Sequence, residues 1–289
     1  LAVPCPAGPA PGPTLAERLE RSARWIRDAI GLGPHGLVRL LAGDALGALD
    51  EAGRAGAGES VLTTAQVVAA LRGLSDALRS TPWRDLAERL DALQRRLAPA
   101  LEEAFRDGAF LRGYNDAGEA FGDAANGPVF TDVQAWVVLA RGGTLSQRRA
   151  ALDRVLSACG DGPLTTLSRP FPASWPRGLC QAAILPGDGA NAGIGLMEAA
   201  WFLQAMALEG RHAEALARFQ CLALRPRAAA AGRPGFPGIC RAGRCQGPAA
   251  RSRAWWPAEE PGVDDPPEAV PIAWEEAVLQ SLLAPPPRP

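Results

Sequence analysis

The chain has 289 residues, of which 47% are hydrophobic and 21% charged, so it is long enough for one large domain or two small ones with a real core. Its formal net charge of −1 argues against nucleic acid or an anionic membrane as partner, because both are attracted by an excess of basic residues. We therefore expect a small neutral ligand, no nucleic acid and no membrane partner.

The compartment is predicted from the start of the chain and from its cysteines. No apolar run reaches the roughly 18 residues of a membrane span, and the first residues, LAVPCPAGPAPGP, hold neither a Met nor an apolar signal core. We interpret this start as truncated. The six cysteines are scattered through a chain too large to depend on disulfides, which favours the cytoplasm. Cys240 and Cys245 lack a second ligand pair at zinc spacing, so we predict no metal site.

The first helix is predicted to begin at Thr14, which forms a capping-box pattern with Glu17, and to stop at Gly31. Three similar units follow, each with a long loop, a mostly apolar helix, a tight turn and an amphipathic helix. The three long loops cover residues 31–60, 107–130 and 160–190.

Three predicted helix boundaries rest on individual residues. Thr81 and Pro82 are expected to be the cap and the first residue of the first amphipathic helix. Thr131 and Gln134 have the spacing of a capping box for the second apolar helix. Gly160 is expected to end the helix that precedes the third long loop.

Apolar helices packed on all sides and amphipathic helices with one wet face are typical of an α/α toroid. We predict an all-α fold, a partial (α/α)6 toroid of helical hairpins over residues 14–226, with the long loops on one rim. Such loops are where binding chemistry concentrates. A simple bundle or solenoid is the alternative, although it does not explain the one-sided loop lengths. Residues 1–13 are predicted to be irregular.

The tail, residues 227–289, is rich in Pro, Gly and Arg and lacks apolar periodicity. We predict that it is mostly irregular, with one short helix around residues 274–283. Its arginines precede its acidic residues, which makes self-association of the tail one hypothesis.

Four segments at loop–helix junctions carry recognisable motifs: GPHGLVRLLAGDALGALDEAGRAGAGESV, FLRGYNDAGEAFG, TDVQAW and PGDGANAGIGLMEAAW. In this order they resemble GPHGLP…GDWNDGMNRVG…GESV, RGYxDDGExxG, TQSW and PGxxENGGxxxHAxxW of glycoside hydrolase family 94. This family contains the cellobiose and chitobiose phosphorylases, and the cyclic β-1,2-glucan synthases carry a related domain. The resemblance covers residues 22–226.

The resemblance implies an inverting phosphorylase that acts on a β-linked disaccharide or oligosaccharide, with inorganic phosphate as co-substrate and without a cofactor. In these relatives a carboxylic acid protonates the leaving oxygen while phosphate attacks the opposite face of the sugar. The position of that acid is occupied here by Gly47, which has no proton to donate. Asp44 is the nearest carboxylate, but an Asp beside a glycine is also explained as a turn residue. We therefore predict no catalytic residue.

The resemblance also implies sugar contacts by Arg112, Tyr114 and Gln134. Each of them has a structural alternative, since a loop Arg needs no function and Gln134 fits the capping pattern. Trp175, in the loop PASWPRG, is the candidate for stacking on a sugar ring, unless it only closes the loop.

Phosphate contacts are implied at Asn191 and Gly193. The phosphate-contacting His of the family falls on Met197, which cannot donate a hydrogen bond to an anion. We therefore expect the phosphate pocket to be incomplete.

Five further residues have a structural or a functional interpretation. Glu59, just before the first apolar helix, suits either a functional role or the positive end of the helix dipole. Trp136 and Trp201 are expected in the core. His35 and His212 stand alone in the sequence and are expected to be structural.

These observations together predict a degenerate member of a carbohydrate-active lineage. We interpret the chain as a glycoside phosphorylase-like domain, a glycosyltransferase by resemblance, which is inactive or impaired and keeps weak sugar binding on the long-loop rim. The alternative is a non-catalytic helical interaction scaffold.

Overall fold

The structure, a computed structural model, describes residues 13–42, 49–123, 127–160, 162–171, 179, 184–187, 189–222 and 239–240. Helices make up most of this part of the chain, which confirms the predicted α-helical fold. Within it, no helix has the length and apolar character needed to cross a membrane. The helices are α1 (Leu15–Arg24, continued by a π-helix, Trp25–Ile30), α2 (Val61–Leu78), α3 (Arg84–Glu103), α4 (Thr131–Leu139), α5 (Leu145–Cys159), α6 (Leu196–Leu208) and α7 (His212–Leu222).

Helix α1 begins as the sequence predicts. The Thr14 backbone N–H donates to the Glu17 carboxylate (2.7 Å), and the Glu17 N–H donates to Thr14 Oγ1 (3.3 Å). The π-helical continuation ends at Gly31, which has a φ of 76°. Both predicted boundaries of this first helical segment are therefore confirmed.

Helices α2, α4 and α6 form a row, because α2 packs against α4 and α4 packs against α6. Each is followed by a partner helix that packs against it, α3, α5 and α7. The three helices of the row supply much of the core, and Val68, Val137 and Phe202 have no exposed surface. Trp136 and Trp201, from α4 and α6, make an edge contact with ring centroids 5.3 Å apart; they were expected in the core, but both are only partly buried and pack against it.

The start of α3 differs from the prediction. The helix begins at Arg84 with Trp83 as its N-cap, so Thr81 and Pro82 lie outside it. Thr81 Oγ1 instead donates to Leu78 O (2.7 Å) and accepts from the Trp83 N–H (3.2 Å), which closes the turn between α2 and α3. The predicted boundary is wrong by two residues because the hydroxyl serves the turn.

The capping box predicted for α4 is also wrong. Its N-cap is Phe130, which has no side-chain hydrogen bond to the helix. Thr131 Oγ1 donates to Thr165 O (2.6 Å), while the Gln134 amide bonds to the backbone of Phe110. Both side chains therefore connect α4 to other parts of the chain.

Five short strands lie in the first two predicted long loops, and three more lie outside the predicted loops. Four of them form an antiparallel sheet in the order β1-β2-β5-β6, and the others form two pairs, β3 with β4 and β7 with β8. Strands of two residues are too short to show a period-2 pattern in a sequence. The strands are β1 (Val38–Arg39), β2 (Glu59–Ser60), β3 (Phe105–Arg106), β4 (Ala109–Phe110), β5 (Gly113–Tyr114), β6 (Ala120–Phe121), β7 (Ile194–Gly195) and β8 (Ile239–Cys240).

One piece of the tail is described. Strand β8 pairs antiparallel with β7, which directly precedes α6. The predicted helix around residues 274–283 lies outside the described residues, and the domain boundaries stay a prediction.

Candidate functional site

The N-terminal ends of α2, α4 and α6 are connected to one another. The first backbone N–H of α2 donates to Arg112 O (3.1 Å), and the Arg112 guanidinium lies 5.7 Å from the ring centroid of Phe130, just before α4. The first N–H of α4 donates to Thr166 O (3.0 Å), and the Thr166 N–H donates to Gly193 O (2.8 Å), just before β7. We call these helix ends and the loops leading to them the loop rim.

At the α2 end of the loop rim, Glu59 holds a neighbouring loop. Its side chain is only 1% exposed, and Oε1 accepts the backbone N–H groups of His35 (3.1 Å) and Leu37 (3.3 Å). Its other oxygen, Oε2, lies 2.5 Å from His35 Nδ1. Glu59 therefore does not cap α2; the cap is Ser60, whose Oγ accepts the Thr63 N–H (3.0 Å).

The His35 ring stacks on Tyr114, with ring centroids 3.6 Å apart and ring planes within 2° of parallel. Tyr114 is placed there by β5, where it is the cross-strand partner of Glu59. Its hydroxyl accepts from Arg106 Nη2 (3.0 Å), and burial raises the pKa of Tyr114 above the usual 10.0 against the opposing charge of Arg106. The polar groups of Tyr114 and Glu59 are thus occupied by protein.

His35 contacts both Glu59 and Tyr114, so it does not stand alone, and its structural role stays a prediction. The pairing with Glu59 was missed because the two residues are 24 positions apart. The only signal was that both lie in motifs, GPHGL and GESV, that belong to the same resemblance.

Asp116 connects two loops of the rim. Its carboxylate accepts the backbone N–H groups of Ala55 (2.6 Å), Ala57 (2.8 Å) and Gly58 (2.9 Å). Partial burial alone would raise the pKa of Asp116, but the three N–H donors hold it below the usual 3.8. The sequence analysis did not single out this residue, although it lies in the RGYNDAGE motif.

The residues on either side of segment 43–48, which contains the candidate acid positions, make close backbone contacts with each other. Leu40 N donates to Gly58 O (2.8 Å), and a Cβ on Gly53 would lie 2.7 Å from Leu41 O. Only glycine permits this approach, so the two ends of the segment are held together. Asp44 and Gly47 fall within residues 43–48, and Trp175 within 172–178, so these three candidates lie outside the described residues.

Two of the predicted sugar-binding side chains are enclosed by protein. Arg112 is 1% exposed and donates from Nη1 to Ser60 Oγ (3.1 Å). Gln134 is fully buried, with Oε1 accepting from Phe110 N (2.8 Å) and Nε2 donating to the carbonyls of Phe110 (2.9 Å) and Phe130 (3.1 Å). Sugar contact by Arg112, Tyr114 or Gln134 stays a prediction.

At the α6 end, the loop before β7 is held by Asn191. Its amide accepts from Phe171 N (2.8 Å) and donates to Ile184 O (2.8 Å), while Gly193 N donates to Gly189 O (3.0 Å). Between them Ala192 has a φ of 66°, a left-handed conformation that a glycine adopts more easily. Phosphate binding by Asn191 and Gly193 stays a prediction.

The first turn of α6 carries one exposed side chain, Met197, and one buried side chain, Glu198. Met197 is 48% exposed. Its neighbour Glu198 is only 7% exposed, and burial raises the pKa of its carboxyl above the usual 4.5. Glu198 was not predicted from the sequence. The sequence feature that could have indicated it is that Glu198 is the single charged residue of an otherwise mostly apolar helix.

The residues that the structure describes contain no group of three or more His, Cys, Asp or Glu side chains that could hold a metal ion. The rim instead combines three helix N-termini, linked to one another through loop backbone, with a network of buried polar groups.

Residues 12–228 match the family described as "Glycosyl hydrolase 94 superfamily, catalytic domain". The chain belongs to this family of carbohydrate-active proteins. Among characterised relatives, a 3-O-beta-D-glucopyranosyl-beta-D-glucuronide phosphorylase from Paenibacillus borealis is 34% identical over 127 residues, 42% of this chain and 16% of that protein.

Among the solved structures that this chain resembles are two at 13% identity, each over 78% of this chain. One is an uncharacterized conserved protein from Thermus thermophilus, with a TM-score of 0.49 and 46% of its chain covered. The other is a GH63 mannosylglycerate hydrolase from the same organism, in complex with glucose, with a TM-score of 0.47 and 45% covered. The chain thus spans less than half of these proteins and about a sixth of the phosphorylase.

Proposed function

We propose that this chain is the sugar-binding part of a glycoside phosphorylase-like toroid that binds a disaccharide or oligosaccharide but performs little or no phosphorolysis. The family match supports the class of ligand. The row of helices α2, α4 and α6, each with a partner helix packed against it, is what a sector of an (α/α)6 ring requires. The ligand is held at the loop rim.

The loss of activity rests on the acid position. Gly47 stands where the family has the carboxylic acid that protonates the leaving oxygen. General acid catalysis contributes about 10²–10⁴-fold to such reactions. A glycine removes the whole of this contribution unless another carboxyl group reaches the same oxygen.

The observation that carries the proposal lies at the phosphate position. Met197 occupies the place of the family's phosphate-contacting His, and its side chain is 48% exposed at the start of α6. A thioether has no proton to donate and no charge to offer an anion. Attack by phosphate therefore loses a donor, in addition to the lost acid.

The test is an assay for sugar 1-phosphate with the full chain. The protein is incubated with inorganic phosphate and either cellobiose, N,N′-diacetylchitobiose or 3-O-β-D-glucopyranosyl-β-D-glucuronide, the last because of the relative's activity. We expect no release above a phosphate-free control. Release at a rate typical of disaccharide phosphorylases would overturn the assignment of Gly47.

Two single variants and their combination separate the loss of the acid from the loss of the phosphate donor. Gly47→Asp restores the acid and Met197→His the donor, and we expect the double variant to release more sugar 1-phosphate than either single one. Glu88→Gln, on the exposed face of α3, is the matched control that leaves the rate unchanged.

One observation favours the scaffold as a second candidate. Trp25, in the π-helical continuation of α1, is 63% exposed, and Leu15 is 40% exposed on the same helical segment. Large apolar side chains at the surface suit a protein partner. Titration with the same sugars, followed by tryptophan fluorescence, distinguishes the two: no response favours the scaffold.

A further inference from the structure

Within the part of the chain that the structure describes, the carboxyl group of Glu198 is buried without a partner of opposite charge. Its residue is 7% exposed, and within the described part of the chain its only hydrogen-bond partner is its own backbone N–H. Buried carboxyl groups are normally paired or multiply hydrogen-bonded, because an isolated charge is costly to desolvate. Acceptor capacity therefore remains on this group.

A glycine in the preceding backbone, Gly195, leaves room for that carboxyl group. A Cβ on Gly195, the N-cap of α6, would lie 2.0 Å from Glu198 Oε2 and 2.9 Å from Thr166 Cγ2. Only glycine leaves the space that the carboxyl occupies. The carboxyl is therefore held at the N-terminus of α6, beside the loop that Asn191 fixes.

This placement changes what the helix end can bind. A helix N-terminus attracts anions through its free N–H groups and its dipole. Here the protein's own carboxyl group already accepts the Glu198 N–H at that point. An incoming phosphate would find one donor fewer and, whenever this carboxyl is ionised, a like charge.

Among the described residues near this turn, the side chains add no compensating donor. Thr166 Oγ1 is directed to the carbonyls of Gly189 and Ala190, both at 3.1 Å. Asn191 Nδ2 is directed to Ile184 O (2.8 Å), and Met197 has no donor. Met197, the residue before Glu198, is 48% exposed, so the first turn of α6 lies at the surface.

We propose that the first turn of α6 is a binding site for a neutral, hydroxyl-bearing sugar, in which Glu198 accepts a ligand hydroxyl, and that this site disfavours phosphate. The inference rests on the proposed function and names the ligand class of its α6 end. Sugar hydroxyls are donors and bring no charge, so they satisfy the carboxyl in either protonation state.

Calorimetric titration of the full chain with cellobiose and, separately, with inorganic phosphate tests this site. We expect Glu198→Ala to weaken cellobiose binding about tenfold and to strengthen phosphate binding. Glu198→Gln, which keeps one acceptor oxygen, should stay within about threefold of the wild type for cellobiose. Glu88→Ala, remote on α3, is the control and changes neither affinity. If the alanine variant does not fold, Glu198→Met, of similar length and without an acceptor, replaces it.

In Glu198→Ala we expect the affinity for cellobiose to fall and the affinity for phosphate to rise. A merely structural role of Glu198 would change both affinities in the same direction. Cellobiose binding that is unchanged in Glu198→Ala overturns this inference and leaves the proposed sugar binding in place. Parallel changes in both affinities overturn it as well. A wild type that binds no sugar overturns the proposed function and this site with it.

Discussion

The α2 end and the α6 end of the loop rim treat their carboxylates differently. At the α2 end, Glu59 and Asp116 each accept backbone N–H groups from loops distant in sequence. At the α6 end, Glu198 accepts only its own N–H among the described residues. The first two carboxylates thus fix the backbone, whereas the third is placed at a cost in desolvation.

The hydrogen bonds at the α2 end maintain the shape of the rim. The α2 end keeps its geometry through bonds between side chains and backbone, which persist whether or not a reaction takes place. The α6 end departs from the family pattern at Ala190, Ala192 and Met197, and one of these, Ala192, has a left-handed conformation.

Removal of Glu59 should have the largest effect. Glu59→Ala leaves the His35 and Leu37 N–H groups without their acceptor and opens a cavity beside β2, so we expect a loss of about 3 kcal/mol in the free energy of unfolding. Glu59→Gln keeps an acceptor for these two groups and should cost about half as much. Urea denaturation at neutral pH measures both.

The matched control is Glu88→Ala on α3. Glu88 pairs with Arg84 at 3.1 Å, but both side chains are well exposed, so the change should cost less than about 0.5 kcal/mol. A loss in Glu59→Ala no larger than in this control would show that the buried carboxylate does not hold the loop.

Asp116→Asn should have an intermediate effect, about 1–2 kcal/mol, because an amide nitrogen replaces one of the oxygens that accept from Ala55, Ala57 and Gly58. The folded-state pKa of Asp116 is below 3.8, so its contribution is fully present above that pH. It is lost as the pH falls through the lower folded-state value. The difference between wild type and variant, measured by urea denaturation across the acidic range, should shrink accordingly.

Glu119→Gln controls for the loop itself. Glu119 is exposed and, among the described residues, accepts from neighbouring Asn115 Nδ2 (2.9 Å), so the loss of stability in this variant should be small. If the Asp116 difference persisted unchanged at the lowest pH, the three hydrogen bonds would not depend on the charge of Asp116.

The helical plan of this molecule could be predicted because its signals are local. Apolar α2, α4 and α6 and their amphipathic partners have patterns within single segments, and Gly31 and Gly160 end helices as predicted. Caps failed where a distant carbonyl competed, as for Thr131, whose hydroxyl donates to Thr165 O. Local rules cannot anticipate such tertiary partners.

The site was less predictable than the fold. The motifs gave the positions of the rim, but the burial of Gln134 and Arg112 depends on loops that come from other parts of the chain. The same holds for His35 with Glu59, and for Asp116 with residues 55–58. A sequence shows which residue types are present, and only the packing shows which hydrogen-bonding groups are already occupied.

The smallest expected effect, and the sharpest contrast with Asp116, is at Glu198. Burial raises the folded-state pKa of Glu198 above the ordinary 4.5, so the folded protein binds more protons than the unfolded chain between these two values. Stability attributable to this group therefore falls as the pH rises through that window and stays lowered above it. The amide in Glu198→Gln cannot ionise, so the stability of this variant should not fall for this reason as the pH rises.

The variant should match the wild type below pH 4.5 and exceed it by on the order of 1 kcal/mol at neutral pH, as measured by urea denaturation at both values. The pH dependence thus has the opposite sign from that at Asp116, because one carboxylate is stabilised by donors and the other is not. A Glu198→Gln variant less stable than the wild type at neutral pH would mean that the carboxylate has a partner that stabilises its charge. In that case the α6 end would resemble the α2 end, and the contrast between the two would not hold.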